Sequence, residues 1–363
     1  MPEVILLSQI PLPYSKIGSW STLYDNYLSQ SHQIDYLICE KPKEFYPKIK
    51  YSFLKKDFFT KIKYKIYKNK FLAYQIALSK IIEKDKKYII QIIDNTGLAI
   101  QLNKYLVKKN IRNQCYIQFF YHGFMQIENV NKTNNFYSNI DELILLTHLS
   151  YDFLKSNTSV INPKISILNN GIDTNKFYKI DNNQKIILKK ELGLENKKVM
   201  IWCSQDRPKK GLHIILEAWQ TIHKKNPEII LLVIGCEPRM PQEGVHFLGK
   251  IPNNDLPKFY QISDVYLFPT LWQEGFGMSL AEALHCGCYC IASKMGGVPE
   301  VLNFGKWGIL IENPNFISEW ITVIQDFLDN KTKPIDFPND VFTTKKWNQE
   351  MNIIIENAKN CFH

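Results

Sequence analysis

Short apolar runs punctuate the chain at Val4–Leu7, Ile34–Cys39, Tyr88–Ile93, Tyr116–Tyr121, Leu143–Thr147 and Ile165–Leu168. A second series follows at Val199–Cys203, Ile229–Ile234, Val245–Leu248, Val265–Pro269 and Tyr289–Ala292. Such runs are continuous rather than alternating, which predicts strands buried on both faces. Between them lie segments with helical spacing, among them Leu212–His223 and Ser279–Leu284. Strand and helix therefore alternate, and they do so twice. The fold class this predicts is α/β, with two doubly wound parallel sheets, each covered by helices on both faces.

Asn169-Asn170-Gly171-Ile172-Asp173 divides the two series, with a strong turn signal at Asn-Gly. The expected organisation is a first domain over 1–173 and a second over 174–342. Residues 343–363 form a terminal helix, with Trp347, Met351, Ile354, Ile355 and Ala358 on one face, that packs back on the first domain. Open parallel sheets bind ligands at the carboxyl ends of their strands, so two such domains predict a central cleft.

Charge alters this picture in one place. The formal net charge is +10, and eleven lysines fall between Lys41 and Lys70, against only Glu44 and Asp57. Aromatics interleave them, from Phe45 and Tyr46 to Tyr64 and Tyr67. A run of this kind is a solvated face, an anionic membrane surface or a site for an acidic acceptor. No recognition module accompanies it, so nucleic acid is not an expected partner. The eight cysteines sit mostly in apolar runs without framework spacing, which predicts free thiols and a reducing, cytoplasmic setting, with attachment to the inner membrane face as the only membrane role. No run approaches the ~18 apolar residues of a membrane span.

Candidate chemistry gathers at Glu274-Gly-Phe-Gly-Met-Ser-Leu-Ala-Glu282. A strand ends at Pro269, a loop with two glycines follows, and a helix starts near Met278. Backbone N–H groups at such a helix start favour a diphosphate, and the two carboxylates accept hydrogen bonds from sugar and ribose hydroxyls. Lys210-Gly211 lies on another strand-end loop, with Arg207 three residues earlier. A guanidinium fork suits phosphate oxygens. His122-Gly123 follows the strand ending at Tyr121; Asp94-Asn95 follows Ile93 and reads as a turn. Gly18 follows the first strand and a proline-containing loop. Cys286-Gly-Cys288-Tyr-Cys290 reads as core packing, since alternate strand residues face opposite ways and no partner ligands accompany it.

These residues resemble the retaining glycosyltransferases of family 4, whose fold is GT-B. Glu274 and Glu282 fit the family's E-G-F-G-x-x-x-x-E. Asn170-Gly-Ile-Asp173 with Phe177 resembles its N-G-V-D-x-x-x-F, and Lys210-Gly211 its K-G. Val245–Ile251 with Phe268-Pro269 resembles its strand–G–x–V and D-V-x-x-x-P-S stretches. Ile291-Ala-Ser with Gly296-Gly297-Val-Pro-Glu300 resembles its V-I-A-S-x-x-G-G-x-P-E. The chain departs from the pattern at Gln205, where the family has an arginine, and in having a single glycine at Gly18.

The resemblance implies a metal-independent glycosyltransferase of the hexosyltransferase type with two Rossmann-like domains facing a cleft. It would move a sugar, with retention, from a nucleoside diphosphate to a hydroxyl of a glycan or lipid-linked glycan. Glu274 would contact the transferred sugar and His122 would sit beside it. Lys210 and Arg207 would hold the diphosphate, and the backbone of Phe276, Gly277 and Met278 would contact the sugar or the diphosphate. Glu282 would bind the ribose, Ile251 the base through its backbone, and Gly18 the donor phosphate. No cofactor is expected, and UDP is favoured over GDP as the carrier. Two alternatives remain: a degenerate GT-B protein that binds nucleotide as a scaffold, and a GT-B isomerase or hydrolase of sugar nucleotides.

Overall fold

The computed structural model describes residues 1–14, 18–55, 69–124, 136–158 and 160–362. They form two compact units. The first comprises Met1–Asn169 with Thr344–His363, the second Asn170–Thr343.

In the first unit the strands are β1 (Glu3–Leu7), β2 (Tyr36–Cys39), β3 (Lys50–Phe53), β4 (Tyr88–Ile93), β5 (Cys115–Phe120), β6 (Glu142–Leu145) and β7 (Lys164–Ile167). All pair in parallel in the order β3-β2-β1-β4-β5-β6-β7. Their helices are α1 (Ser19–Leu28), α2 (Leu72–Leu78), α3 (Thr96–Lys108) and α4 (His148–Asn157). The second unit has α5 (Asn182–Glu191), β8 (Lys198–Cys203), α6 (Leu212–Lys225), β9 (Ile229–Ile234), β10 (Val245–Gly249), α7 (Leu256–Ile262) and β11 (Val265–Phe268). It continues with α8 (Met278–His285), β12 (Tyr289–Ser293), α9 (Val298–Val301), β13 (Ile309–Ile311) and α10 (Ile317–Leu328). This sheet is also parallel, ordered β10-β9-β8-β11-β12-β13.

The physical basis is the one the apolar runs predict: every residue of β4 and of β9 is buried. In α6, Leu212, Ile215, Trp219 and Ile222 recur at helical spacing on the sheet-facing side, while Lys224 and Lys225 close its last turn, where cations suit the helix dipole. Two edge strands escape the apolar-run criterion. β3 lies inside the lysine-rich stretch and β13 has only three residues, so neither needs two buried faces.

The terminal helix α11 (Thr344–Asn360) belongs to the first unit. Trp347 packs edge-on against Tyr24 and Tyr27 of α1, with ring centroids 5.6 and 5.7 Å away. The Tyr27 hydroxyl bonds Asn352 Oδ1 at 2.5 Å. Beneath this helix a polar ladder crosses the sheet: Gln91 Nε2 donates to Gln118 Oε1 (3.0 Å), and Gln118 Nε2 donates to Glu142 Oε2 (2.8 Å). Ser166 Oγ donates to the other Glu142 oxygen at 2.5 Å.

The lysine-rich stretch 41–70 is described only outside 56–68, so that reading lies largely beyond the described residues. In the described part Phe45, Tyr51 and Phe53 contact one another at 5.1–6.0 Å. Among the described residues no helix is long and apolar enough to cross a membrane. Cys286, Cys288 and Cys290 are buried in the second unit, and the Cys288 thiol donates to the Tyr260 carbonyl.

Candidate active site

Parallel pairing sends the carboxyl ends of β8, β9, β11 and β12 to one edge of the second sheet, and the loops leaving them pack closely. Gly211, at φ +71°, lies so near the loop after β11 that a Cβ would fall 1.8 Å from the Pro269 carbonyl oxygen. Gly296, at φ +61°, lies against Glu274, where a Cβ would sit 2.4 Å from the backbone oxygen. Two backbone bonds hold these loops together, Leu271 N–H to Lys209 O and Gly297 N–H to Glu274 O, both 2.8 Å. Only glycine fits such approaches.

Within this frame Lys210 Nζ donates to Glu274 Oε1 at 2.5 Å, and the Thr270 hydroxyl donates to the same oxygen at 2.9 Å. Both partners of the ion pair are largely buried, with side chains 22% and 15% exposed. The pairing fixes the carboxylate by two donors and keeps a cation beside it. Sequence reasoning assigned Lys210 and Glu274 separately and missed Thr270. Its signal was its place directly after Pro269, where the D-V-x-x-x-P-S pattern has its serine.

Helix α8 begins one residue after Phe276-Gly277. Gly277 precedes it in the left-handed region, and no side chain caps its first N–H groups. They are therefore available to an anion. The Phe276 ring is buried edge-on against Phe342 at 5.0 Å, so this residue offers only its backbone to a ligand. Met278 opens the helix, and Glu282 follows one turn later. Burial pushes the Glu282 carboxyl up to about 8, although the Lys176 ammonium and the Tyr260 hydroxyl pull it down.

Arg207 is exposed at the start of the 3-10 turn Pro208–Lys210. Its neighbour Asp206 pairs with Arg239 at 2.6 Å, and that bond holds the Asp206 carboxyl below the usual range. Lys209 lies 4.5 Å over the half-exposed Trp272 ring. Ile251 follows β10 and is half-buried.

Two of the predicted residues belong to the first unit. The backbone of Gly18 precedes α1, and its carbonyl accepts from Thr22 N–H at 3.0 Å and from the Ser21 hydroxyl at 3.0 Å. His122 follows β5, and its backbone N–H donates to Asp94 Oδ1 at 2.7 Å. The imidazole Nδ1 lies 3.4 Å from the other Asp94 oxygen. Asp94 makes the turn expected of it, at φ +49°, and Asn95 caps α3 by accepting from Leu98 N–H. The carboxylate contact to His122 was not legible, because it joins two strand ends far apart in sequence.

Whole-chain comparison places this architecture among known structures. Sucrose-phosphate synthase from Thermosynechococcus elongatus superposes with a TM-score of 0.69 at 15% identity, covering 99% of this chain and all of that one. The Anabaena protein HepE, solved in complex with UDP, superposes at 0.70 with 16% identity, covering 98% and 100%. Two doubly wound units of this kind define a GT-B protein. Residues 183–340 match the family Glycosyl transferases group 1. The N-acetyl-alpha-D-glucosaminyl L-malate synthase of Bacillus anthracis is 30% identical over 187 residues, 48% of this chain and 47% of that protein. Spore coat protein SA of Bacillus subtilis (strain 168) is 28% identical over 163 residues, 40% and 43% of the two chains. The chain spans about half the length of the curated relatives it matches.

Proposed function

We propose that the protein is a retaining, metal-independent glycosyltransferase that uses a nucleoside-diphosphate sugar, with UDP as the carrier. The observation that carries this reading is the Lys210–Glu274 pair beside the uncapped start of α8. The HepE structures, which hold UDP and UDP-glucose, support the choice of carrier by analogy of fold. Retention rests on the resemblance to family 4.

In this reading the acceptor hydroxyl replaces the diphosphate at the anomeric carbon. The leaving diphosphate gathers negative charge, which Lys210, Arg207 and the N–H groups of Gly277 and Met278 offset by preorganised donors. Glu274, fixed by Lys210 and Thr270, accepts from a sugar hydroxyl and orients the ring. Glu282 accepts from the ribose, and the backbone at Ile251 meets the base. His122, with Asp94 against its ring, orients the sugar, and Gly18 serves the donor phosphate. The acceptor is a glycan or a lipid-linked glycan.

Thermal-shift measurements with UDP, GDP, ADP and CMP test the donor site, because selective binding raises the melting temperature by mass action. UDP is expected to give the largest shift, lost in Glu282→Ala. Donor turnover is expected to fall by a factor on the order of 10²–10³ in Lys210→Ala, a magnitude typical of losing one transition-state donor. It should survive EDTA. Nucleotide binding with no turnover of any sugar nucleotide would favour the non-catalytic alternative. Lys41, Lys43, Lys48, Lys50 and Lys55 around the Phe45–Tyr51–Phe53 cluster also support docking to an anionic membrane. Flotation with phosphatidylserine vesicles tests it, and protein remaining at the bottom of the gradient rejects it.

A further inference from the structure

Phe268 and Phe276, on either side of the loop after β11, are buried, whereas Trp272 between them is 43% exposed. A single exposed aromatic is ordinary on a protein surface. This one is fixed in place beside the candidate site. Its backbone N–H donates to the Thr270 hydroxyl at 3.3 Å, and that same hydroxyl donates to Glu274 Oε1 at 2.9 Å. Leu271 N–H ties the loop to the Lys209 carbonyl at 2.8 Å. The indole is thereby set two residues from the carboxylate that Lys210 also holds.

A cation accompanies the ring. The Lys209 ammonium lies 4.5 Å from the Trp272 ring centroid. Among the described residues it makes no hydrogen bond or ion pair, whereas the adjoining Lys210 is paired with Glu274. No other aromatic ring packs on Trp272 among the described residues. An indole has a negative face, which suits the slightly positive C–H groups of a pyranose ring. An ammonium with unused donors at the same place suits a phosphate or carboxylate oxygen. The base of a nucleotide is not the ring's partner. In the sheet order β10-β9-β8-β11, two strands separate the Trp272 loop from Ile251 after β10, a span of about 14 Å at the usual strand spacing.

We propose that Trp272 and Lys209 form an acceptor subsite on the second unit, with the indole stacked on a sugar ring of the acceptor and Lys209 bonded to a phosphate or carboxylate that this ring carries. This rests on the reading of Glu274 as a contact of the transferred sugar, because the acceptor ring has to lie next to that sugar. It narrows the acceptor from any glycan to one with an acidic sugar at the reacting end.

Titration of the full chain with glucose, glucose 6-phosphate, glucuronate and inorganic phosphate, followed by saturation-transfer NMR, tests it. At least one of the two acidic sugars is expected to bind more tightly than glucose or phosphate alone, with saturation on its ring C–H protons. Which of the two binds better tells phosphate from carboxylate. Trp272→Ala should weaken that sugar about fivefold or more, and Trp272→Phe should keep part of the affinity. Lys209→Met should weaken it about fivefold, to the level of glucose, without affecting glucose itself. Melting temperatures of the free variants separate misfolding from lost binding, and the thermal shift with UDP should be intact in both Trp272→Ala and Lys209→Met. No binding of either acidic sugar, or equal binding in Trp272→Ala, would overturn the proposal. So would loss of the UDP shift in Trp272→Ala, which would put the indole in the nucleotide pocket. A wild type that binds the acidic sugar through Trp272 but gives no shift with UDP or GDP would instead remove the donor reading and leave the sugar subsite standing.

Discussion

Single residues at the strand-end loops carry constraints that their types alone announce only in part. Gly211 has to be glycine because a carbonyl occupies the place of its Cβ and because its φ is +71°. Gly211→Ala is expected to destabilise the protein by more than about 3 kcal/mol, in the range of strained or overpacked backbone sites. Urea unfolding followed by tryptophan fluorescence measures this. Glu282 shows the opposite tension, between stability and use. Its carboxyl stands near 4.5 in an unfolded chain and is raised to about 8 by burial. The folded form therefore holds a proton that the unfolded form has lost, and stability falls as pH rises from about 4.5 to 8. Glu282→Gln is expected to remove that slope. The melting temperature of the free variant should exceed that of wild type by a margin that grows from pH 5 to pH 8. A constant margin would show that Glu282 titrates normally.

Among the elements, α11 and the polar ladder show how far a pattern can be read. The spacing of Trp347, Met351, Ile354, Ile355 and Ala358 is legible as an amphipathic helix, and all five are buried in the first unit. Trp347→Ala should cost about 3–5 kcal/mol, as for other fully buried tryptophans. Unfolding monitored by hydrogen exchange should show that loss in the first unit's strands. Gln91, Gln118 and Glu142 were not legible. Gln91 and Gln118 are single polar residues inside apolar runs and Glu142 stands at the start of one, and nothing local says that the runs align in register to bond one another. Gln118→Leu takes one donor from the Glu142 carboxylate, which keeps Ser166, and the acceptor from Gln91, so it should destabilise by about 1–3 kcal/mol. The edge strands β3 and β13 were missed for the reverse reason: a strand with one neighbour needs little hydrophobicity.

At the scale of the whole molecule, the two sheets share one construction principle and differ in what their strand ends carry. In the second unit the carboxyl ends bring together Lys210, Thr270 and Glu274. The first unit joins Asp94 to His122 at the ends of β4 and β5. His122→Ala and Asp94→Asn are expected to lower turnover while leaving the UDP-induced thermal shift intact, because both lie in the unit that lacks Glu282. Loss of that shift in either variant would move His122 into the nucleotide pocket.

The positions of the strands other than β3 and β13, the repeated α/β alternation and the loop bearing Glu274 and Glu282 follow from the sequence, because burial on two faces writes continuous apolar runs and a glycine-led helix start writes its own motif. Several pairings were decided only by tertiary structure. Lys210 meets Glu274 across 64 residues, Asp94 meets His122 across 28, and Lys176 meets Asn254 across 78. Parallel register and loop packing set those contacts, and burial in the folded second unit is what raises the Glu282 carboxyl. Periodicity along a chain records which face a residue turns inward, whereas the partner it finds there depends on which strands lie side by side.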